Sequence, residues 1–394
     1  MSPQEGSALA GVRVLDLSSV VMGPACTQVL AAYGADVLKV EPPAGDIMRH
    51  AGASREPGMG AMFIHANRGK RSVVIDLKQD GGIDVLRRLL PRFDVLVHNV
   101  RPEAMARLGL DYDSVRRLRE DIVYAELVGY GPGGRHAGRP AFDDVIQAHA
   151  GIAGLFALQD GGEPRYLPGL IADRMTGITA AHRILAALYR RRVTGKGSHV
   201  TVAMFETMAA FTLADHLGGR SFEPPEGPVG YSRLLTRFRK PYRTQDGHIA
   251  VLVYNDKHWR TFFQLIGRED TFNADARFQT AAERARNYDF IYGYLAEVLL
   301  TRPRVEWLEI LEQADIPCAP VNTVDELIDD PHLNDVGFFS MRQSASGLER
   351  ELGSGADMPS SPSPTLGQHT LSVLEEEGFN AAEIAALGQA GVIG

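Results

Sequence analysis

The sequence predicts an α/β protein in which a parallel sheet is covered by helices on both faces, together with a smaller α+β domain. Short runs of β-branched residues alternate with helical segments over residues 12–131, which is typical of a parallel sheet. A segment rich in proline and glycine then interrupts the chain at 221–230. With 394 residues, the chain is longer than one ordinary domain needs.

The first strand–helix–strand unit is the clearest. VRVLDLSS (12–19) predicts a strand, and PACTQVLAAYG (24–34) predicts a helix with proline in its first turn and glycine just past its end. ADVLKVEPP (35–43) predicts a second strand that the two prolines stop.

The same pattern recurs twice. RSVVIDL (71–77), FDVLVHN (93–99) and DIVYAELVGYG (121–131) predict strands, while IDVLRRLL (83–90) and DSVRRLRE (113–120) predict helices. Ligands of parallel sheets bind beyond the carboxyl ends of the strands. The residues expected near a ligand are therefore Ser18–Met22, Glu41–Pro43, Asp76–Lys78, Asn99–Arg101 and Gly129–Gly131.

The second half of the chain predicts a small α+β domain over residues 229–330. It contains a D-G turn signal before a strand in TQDGHIAVLVYN (244–255) and several helical segments after it. Linkers are expected at about 221–228 and 331–367, the second including the proline- and serine-rich stretch 354–367. The remaining C-terminal segment is predicted to be helical.

Composition restricts the function classes. The net charge of −8 argues against a nucleic-acid partner, and we expect no membrane partner because no apolar run approaches the ~20 residues of a membrane span. Two distant cysteines and the absence of a signal-peptide pattern predict a cytoplasmic protein. The histidines show no metal-ligand spacing, so no metal site is predicted, and neither G-x-G-x-x-G nor G-x-S-x-G is present.

The basic cluster NRGKR (67–71) has two interpretations. It could be a solvated loop before a strand, which is the commoner case, or an anion subsite. Guanidinium groups bind phosphate in a bidentate manner, so several cations brought together would suit a polyphosphate ligand. The cations near the expected edge of the sheet are Lys78, Arg101, Arg107, Arg135 and Arg139.

Asp173 stands at the start of an amphipathic segment, LIADRMTGITAAHRILAALYRRR (170–192), which predicts a helix. Aspartate is a favoured N-cap, and capping alone would explain it. A carboxylate held ionised by the helix dipole could also act as a nucleophile, and the two roles are compatible.

Several stretches together resemble the class III CoA-transferases, the family of formyl-CoA and carnitine CoA-transferases and of the α-methylacyl-CoA racemases. They are LAGVRVLDLSSVVMGPACTQVLAAYGADVLKVEPPAGD, NRGKRSVVIDLK, DVLVHNVRPEAMARLGL, FDDVIQAHAG, IADRMTGITAAHRILAALYRRRVTGKGSHVTVAMFE and LGQHTLSVLEEEGF. The resemblance covers most of the first 210 residues and the C-terminus, and the middle domain matches more loosely.

The resemblance implies a Rossmann-like large domain built from residues 1–220 together with 340–394, and an interlinked homodimer. It implies an enzyme whose substrates are an acyl-CoA and a carboxylic acid, with coenzyme A as substrate and no tightly bound cofactor. The aspartate of the motif matching IADRMTG is the family's nucleophile, which assigns that role to Asp173. It would form first an acyl-aspartyl anhydride and then an aspartyl-CoA thioester.

The resemblance also implies CoA contacts at matching positions. These are Val21, Met22, Ile75, Asp76, Leu77, Lys78, Asn99, Val100, Arg101, Arg107, Arg139, Pro140, Ala141 and Phe142. Ordinary packing is the alternative at each, above all at Val21, Met22 and Ile75. Asp143 and Arg237 are the candidates for the acid-substrate pocket.

Two departures from the family pattern bear on the reaction. Racemase members carry a histidine where this chain has Phe142, and phenylalanine cannot exchange a proton, so transfer is favoured over racemisation. Formyl-CoA transferases carry a glutamine at the position of Val21 and a glycine run where GYSRLLTRF (230–238) stands, so oxalate is not the expected acceptor. The basic residues of this loop and after it, Arg233, Arg237, Arg239 and Lys240, could pair with a substrate carboxylate or simply be solvated.

Two other functions remain open. An enzyme of the same fold could epimerise an acyl-CoA at its α-carbon, and a protein of another class could bind acyl-CoA without turnover. The sequence identifies neither the acyl donor nor the acceptor acid.

Overall fold

A computed structural model describes residues 7–344, 347–353 and 361–394. The chain divides into two compact units. The sheet unit consists of Met1–Ala150, Tyr166–Ala210 and Asn334–Gly394, and the second unit consists of Gly151–Arg165 and Phe211–Leu333.

The described residues form three sheets. Their strands, in chain order, are β1 (Arg13–Asp16), β2 (Asp36–Glu41), β3 (Lys70–Val74), β4 (Val95–His98), β5 (Val123–Val128), β6 (Ser198–Ala203), β7 (Tyr242–Arg243), β8 (His248–Val251), β9 (Cys318–Pro320), β10 (Phe339–Ser344) and β11 (Gly347–Leu352).

Helices connect these strands. In chain order they are α1 (Met22–Ala32), α2 (Ala61–Asn67), α3 (Asp80–Leu89), α4 (Pro102–Arg107), α5 (Tyr112–Leu118), α6 (Asp143–His149), α7 (Ile152–Asp160), α8 (Ile171–Thr194), α9 (Met204–His216), α10 (Ser232–Leu235), α11 (Asp256–Leu265), α12 (Glu269–Ala274), α13 (Ala276–Gln279), α14 (Ala281–Arg286), α15 (Tyr288–Leu299), α16 (Arg304–Gln313), α17 (Val324–Ile328), α18 (Pro331–Asp335), α19 (Thr370–Glu376) and α20 (Ala381–Gln389). Short 3-10 helices lie at Ile47–His50, Leu90–Arg92 and Gly218–Ser221.

The sheet unit is built on six parallel strands in the order β3-β2-β1-β4-β5-β6. This is the strand order of the Rossmann fold, in which the order reverses between β1 and β4. The predicted α/β class with a parallel sheet is therefore confirmed. The register places Leu15 opposite both Leu38 and Leu96, all fully buried, which explains why these strands are nearly continuous apolar runs.

The C-terminal segment completes the core of this sheet. Its helices α19 and α20 contribute Val373, Leu374 and Ile384 to the same apolar cluster as the strands. Its backbone also pairs with β3 and the residue after it, since His369 donates its N–H to the carbonyl of Ser72 and Ile393 forms a bridge with Ile75. Both ends of the chain thus build one unit.

The second unit contains a three-stranded antiparallel sheet, β7-β8-β9, and a core dominated by aromatic rings. Trp259, Phe263 and Trp307 are almost fully buried there. The D-G signal lies at the turn of the β7–β8 hairpin, where Thr244 donates its N–H to the carbonyl of Gly247.

The structure differs from the sequence-based boundaries in three places. Helix α1 begins at Met22, not at Pro24. Residues 151–165 and 211–220 group with the second unit, although the large domain was expected to include them. The expected linker 331–367 contains helix α18 and the β10–β11 hairpin, which the sequence had not indicated as strands. Residues 354–360 of this linker lie outside the described residues.

Candidate functional site

A cavity of about 400 Å³ lies at the carboxyl ends of the central strands of the sheet unit. Residues that follow β1, β4 and β5 line it, so it sits at the point where the strand order reverses. This is where parallel sheets of this order bind their ligands. Its walls are Ser19, Val20, Met22, Asn99–Glu103, Glu126–Tyr130, Pro132, Gly133, Ala137–Phe142, Asp173 and Met204.

Asp173 reaches this cavity from the first turn of α8. The helix begins at Ile171 after Leu170, which has the N-cap position and offers no side-chain bond, so the prediction that Asp173 caps the helix is wrong. The backbone N–H of Asp173 instead donates to Oδ2 of Asp143, 2.9 Å away. The Asp143 carboxylate thus satisfies a donor at the start of the helix that the helix cannot satisfy itself.

Asp143 is itself held in place from the other side. It is 4% exposed, and its Oδ1 accepts a bond of 2.6 Å from Nε2 of Gln147, one turn further along α6. The amide of Gln147 also bonds the carbonyl of Gly169 and the N–H of Leu167, in the segment that leads into α8. The start of α8 is therefore tied to α6 by buried side chains.

Burial and the neighbouring carboxylate of Asp143 change the acidity of Asp173. Burial raises the pKa of Asp173 first, the negative charge of Asp143 raises it further, and Arg174 opposes them, so that the pKa is about 6 instead of 3.8. The helix start was expected to hold this carboxylate ionised, and burial and the charge of Asp143 oppose that effect by raising its pKa. At pH 7 the group is still about nine-tenths ionised, and it is a stronger base than an ordinary aspartate.

Helix α8 approaches α1 very closely. A Cβ on Gly177 would lie 2.7 Å from the carbonyl oxygen of Met22 and 3.1 Å from the Cβ of Ala25. The buried face of α8 is made mostly of small residues, with Ala180 and Ala181 following Gly177 and Ile184 the large exception, whereas Ile178 is 53% exposed. This close contact places Met22 and Asp173, the first turns of two helices, on the walls of one cavity.

The loop after β1 is fixed by several side chains. Asn99 accepts the N–H of Ser19 at 2.9 Å and donates to its carbonyl at 2.8 Å, so this predicted contact residue also holds the loop. Val20 has a left-handed backbone with φ 70°. Such a conformation is a genuine outlier for a β-branched residue and is maintained only where the surroundings impose it.

The cavity carries charges of both signs. Arg101 and Arg139 line it, and neither guanidinium forms an ion pair with any residue in the described part of the chain. Glu103 and Glu126 also line it, and Glu126 is only 8% exposed. Unpaired guanidinium groups at a cavity are suitable partners for the phosphates or carboxylate of an anionic ligand.

The structure brings most of the predicted site residues together. The cavity walls include these predicted residues: Met22, Asn99, Val100, Arg101, Arg139, Pro140, Ala141, Phe142 and Asp173. Gly129 permits this arrangement, because a Cβ there would lie 2.3 Å from that of Ala141.

Other predicted residues do not line this cavity. Val21 and Ile75 are buried in packing, and Lys78 and Arg107 are exposed. Asp76 accepts a bond from the N–H of Lys78 at 3.0 Å, and Leu77 packs against the core. Asp143 acts behind Asp173 instead of lining the cavity, and Arg237 lies exposed in the second unit.

The basic cluster at 67–71 has a structural role that neither interpretation anticipated. Lys70 is buried and pairs with Asp16 at 3.1 Å, while Arg71 pairs with Asp36 at 2.7 Å. Lys70 is therefore shielded from solvent by its pairing inside the sheet unit. The side chain of Arg71 is 23% exposed, and its guanidinium is paired with Asp36 and Glu376.

Sequence reasoning missed several cavity residues. The rule that ligands lie past the strand ends included Ser19, Val20 and Tyr130 in its ranges, but gave no reason to choose them. Glu126 was missed because it stands inside the apolar run of β5. The one signal available was the presence of a charged residue in a strand that is otherwise apolar and buried. In the loop before Arg139, the cavity residues Pro132, Gly133, Ala137 and Gly138 were not predicted either.

The described residues show neither a metal-binding cluster nor a membrane span. Among them there is no group of three or more His, Cys, Asp or Glu side chains placed to hold a metal ion. None of the helices in the described part of the chain is long and apolar enough to span a membrane.

The strand order, with a cavity at its reversal point, defines a Rossmann-like protein. The chain belongs to CoA-transferase family III, whose model matches residues 9–370. It is thus an enzyme of the class whose substrates are CoA thioesters and carboxylates, as the resemblance of the motifs had indicated.

Curated relatives cover nearly the whole chain. A probable fatty acyl-CoA transferase, Rv3272, of Mycobacterium tuberculosis is 31% identical over 93% of this chain and 97% of its own. A succinyl-CoA:mesaconate CoA-transferase of Haloarcula hispanica is 31% identical over 94% of this chain and 96% of its own. A formyl-CoA:oxalate CoA-transferase of Rhodopseudomonas palustris is 29% identical over 98% and 97%.

Solved structures show the same fold. The orthorhombic crystal form of Rv3272 superposes with a TM-score of 0.79 at 29% identity, covering 93% of this chain and 98% of that one. A CAIB/BAIF family protein of Brucella suis superposes with a TM-score of 0.76 at 28% identity, covering 93% and 98%.

Proposed function

We propose that this CoA-transferase moves CoA from an acyl-CoA to a carboxylic acid through covalent intermediates on Asp173. The observation that carries the proposal is the position of Asp173: a half-buried carboxylate, with its pKa raised to about 6, in the wall of the cavity at the strand-order reversal. A carboxylate that is ionised at neutral pH yet more basic than usual suits nucleophilic catalysis.

In each proposed step, one bond breaks and another forms. An oxygen of Asp173 attacks the thioester carbonyl, the C–S bond breaks, and CoA leaves as thiolate while a mixed anhydride remains. The thiolate then attacks the aspartyl carbonyl and releases the donor as a free acid, which leaves an aspartyl-CoA thioester. The acceptor acid reverses these steps. Dividing one exchange into several attacks lowers each barrier.

The surroundings of Asp173 support this role. The carboxylate of Asp143 accepts the backbone N–H of Asp173 and so fixes that backbone. The carboxylate of Asp173 therefore starts each attack from a fixed position. Arg101 and Arg139 offer unpaired positive charge on the same cavity, where the phosphates of CoA or a substrate carboxylate can be bound. Met22, Asn99, Val100, Pro140 and Ala141 complete the proposed CoA contacts.

Phe142 favours transfer over epimerisation. It is 65% exposed on the cavity, and its ring has no proton to exchange with an α-carbon. If the enzyme is incubated with a branched acyl-CoA in deuterated water without an acceptor acid, we expect no deuterium at the α-carbon. Incorporation at a rate near that of transfer would instead assign the epimerase function.

The decisive experiment traps the covalent intermediates. The enzyme is incubated with succinyl-, acetyl- or branched acyl-CoA and then treated with borohydride, which reduces an aspartyl thioester to homoserine, or with hydroxylamine, which converts it to a hydroxamate. Peptide mass spectrometry is expected to find either product at Asp173. Asp173→Ala should abolish both trapping and transfer in a panel of organic acids.

Asp144→Ala is the matched control, because Asp144 is the exposed neighbour of Asp143 on α6 and lines no part of the cavity. It should retain trapping and transfer. Undiminished transfer by Asp173→Ala would refute the proposal, and acyl-CoA binding without turnover of any acid by the wild-type enzyme would show a silent binding protein.

We also propose that the enzyme acts as a homodimer, as the family resemblance implies, and in the cytoplasm, as its two distant cysteines indicate. One face of α8 carries Ile178, Tyr189 and Val193, which are 53%, 74% and 67% exposed. A row of exposed apolar side chains on one helix face is typical of a surface that a partner covers. Light scattering after size exclusion should give twice the mass of the chain, and a monomer at micromolar concentration would contradict this.

A further inference from the structure

We infer that the buried pair Lys39–Asp46 is a positioning device that holds Val20, a residue of the cavity wall, in its left-handed backbone conformation. The inference rests on the proposed function only where it concerns catalysis. The structural part of the inference concerns the loop after β1, the left-handed residue Val20 in it, and the buried ions Lys39 and Asp46 that contact this loop.

Val20 does not adopt this conformation by preference. Its φ of 70° forces a Cβ-branched side chain into a region that favours glycine, and glycine would be the natural residue there. Across the described residues, the one other non-glycine residue with positive φ is Asp315, in the second unit. Some interaction must therefore hold the loop in place at Val20.

Asp46 supplies that interaction. Its Oδ1 accepts the backbone N–H of Val20 at 3.2 Å and that of Met48 at 3.0 Å, so one oxygen joins the cavity loop to the segment after β2. The side chain is almost completely buried, and water does not compete for these donors.

Lys39 fixes the same loop from its other side. Its ammonium group donates to Oδ2 of Asp46 at 2.9 Å and to the carbonyl of Ser18 at 2.8 Å. The two ions thus bind the residues at positions 18 and 20 at once. Lys39 is fully buried on strand β2, which is hydrogen-bonded to β1 on one side and to β3 on the other.

The anchor continues into the sheet. Asp46 donates its own N–H to Oε2 of Glu41 at 3.0 Å, and Glu41 forms a bidentate pair with Arg49. A buried, hydrogen-bonded pair of ions holds its partners in a single geometry, because any other arrangement leaves a charge unpaired. We therefore assign Asp46 and Lys39 as positioning residues and not as catalytic ones, since neither lines the cavity.

A double-mutant cycle tests this assignment. Asp46→Asn is made in the wild-type protein and in Val20→Gly, because glycine adopts the left-handed region without assistance. We expect Asp46→Asn to lower kcat/KM for the acyl-CoA about tenfold in the wild-type protein, mainly by raising KM, and less than about threefold in the Val20→Gly protein. Equal losses in both backgrounds would overturn the assignment.

Two controls separate positioning from general stability. Val20→Ala keeps a side chain that resists positive φ, so the effect of Asp46→Asn should persist in that background. Glu41→Gln removes a buried carboxylate of the same network that does not touch residues 18–20, so any loss it causes should be the same with Val20 and with Val20→Gly. Thermal melting is recorded for every variant, and kinetics are measured well below its midpoint.

If Asp46→Asn does not fold, Asp46→Glu is used, which keeps the charge beside Lys39 and displaces the oxygen from the Val20 N–H. Val20→Pro provides an independent test, since proline fixes φ at roughly −65° and has no N–H. Its KM should be about tenfold higher than that of Val20→Gly, which changes the same cavity residue but adopts positive φ without strain. Equal KM values for these two variants would contradict the assignment.

Hydrogen exchange distinguishes this inference from the proposed function. Without substrate, Asp46→Asn should increase exchange in a peptide covering residues 18–22 relative to the wild-type protein. Faster exchange in an enzyme that transfers no CoA at all would leave the positioning role intact and refute the function. Unchanged exchange would overturn the positioning role whatever the activity.

Discussion

At the scale of single residues, the acidity of Asp173 is the property from which its chemistry follows. Sequence reasoning identified this residue from the motif that it belongs to, but misjudged its environment. The neighbour that raises its pKa, Asp143, lies 30 positions earlier in the chain, and only the packing of α6 against α8 brings them together. The burial that contributes most has the same tertiary origin.

The transferase rate should report this pKa directly. With a pKa of about 6 for Asp173 in the free enzyme, kcat/KM should be constant above about pH 7 and fall about tenfold per pH unit below pH 6, because the protonated acid cannot attack. Asp143→Asn should move this acid limb to lower pH, since it removes the repelling charge and leaves the burial. Initial rates between pH 4.5 and 8.5 test both statements.

The control is Asp144→Asn, which removes an exposed charge from the same helix and should leave the acid limb in place. A limb near the ordinary aspartate value in the wild-type enzyme would contradict the raised pKa of Asp173.

The same pKa shift has a consequence for stability. Because the folded-state pKa of Asp173 lies above its unfolded value of 3.8, the native state is favoured at low pH and loses this advantage as the pH rises from about 4 to 6. Asp173→Asn, which imitates the neutral form, should therefore be more stable than the wild type above pH 6, by about 1–3 kcal/mol, and the difference should vanish near pH 3.5.

Urea unfolding at pH 7.5 and at pH 3.5 checks this sign. Asp144→Asn, at an exposed position, should show no comparable difference between the two pH values. A less stable Asp173→Asn protein at pH 7.5 would show that the carboxylate is stabilised in the fold and not strained.

At the scale of elements, the packing of α1 against α8 controls the shape of the cavity. Gly177→Ala should lower stability by about 1–3 kcal/mol and lower kcat, because the new Cβ would meet the backbone at Met22 and push apart two helices whose first turns line the cavity. Denaturant unfolding and transfer kinetics measure the two effects.

Gly388→Ala is the matched substitution. It lies in helix α20 with no atom within 4 Å of a new Cβ, so it should stabilise the protein by about 0.5–1 kcal/mol and leave kcat unchanged. If both substitutions had the same effect, the contact between α1 and α8 would not be tight.

Sequence periodicity predicted these elements more reliably than their contacts. The first five strands of the large sheet and the helix at 170–192 were predicted within a few residues, because each has its own apolar run. The contact face of α8 was predicted only in part. Its apolar period includes Ile184, which is fully buried, but also Ile178, which is 53% exposed. Most of the buried positions are glycine, alanine or threonine, because close helix contacts need small side chains whose apolar signal is weak.

The hairpin β10–β11 was missed for a related reason. Its strands, FSMRQS and GLEREL, carry mostly polar side chains with few buried positions, so no apolar alternation indicates them. Likewise, the buried ions Lys39, Asp46 and Lys70 are charged residues in positions where composition predicts exposure. Their pairing depends on contacts between β1, β2 and β3 that no local pattern encodes.

At the scale of the whole molecule, the C-terminal segment is a structural part of the sheet unit. Leu374→Ala should cost about 2–5 kcal/mol, because Leu374 is 1% exposed in the cluster that includes the strands. Leu371→Ala, one turn away at 61% exposure, should cost far less. Thermal and denaturant unfolding compare them, and equal costs would show that this helix does not belong to the core.

Because the sheet unit contains both the first and the last segments of the chain, the two units are completed at different times during translation. Residues 211–333, the larger piece of the second unit, leave the ribosome before α19, whose Thr370 bonds the N–H of Val74 in β3. A nascent chain of this enzyme can therefore assemble its aromatic core while the first 150 residues still lack the segment that closes the β3 edge of their sheet. Chaperones that recognise bare strand edges would find one here throughout translation of the intervening domain.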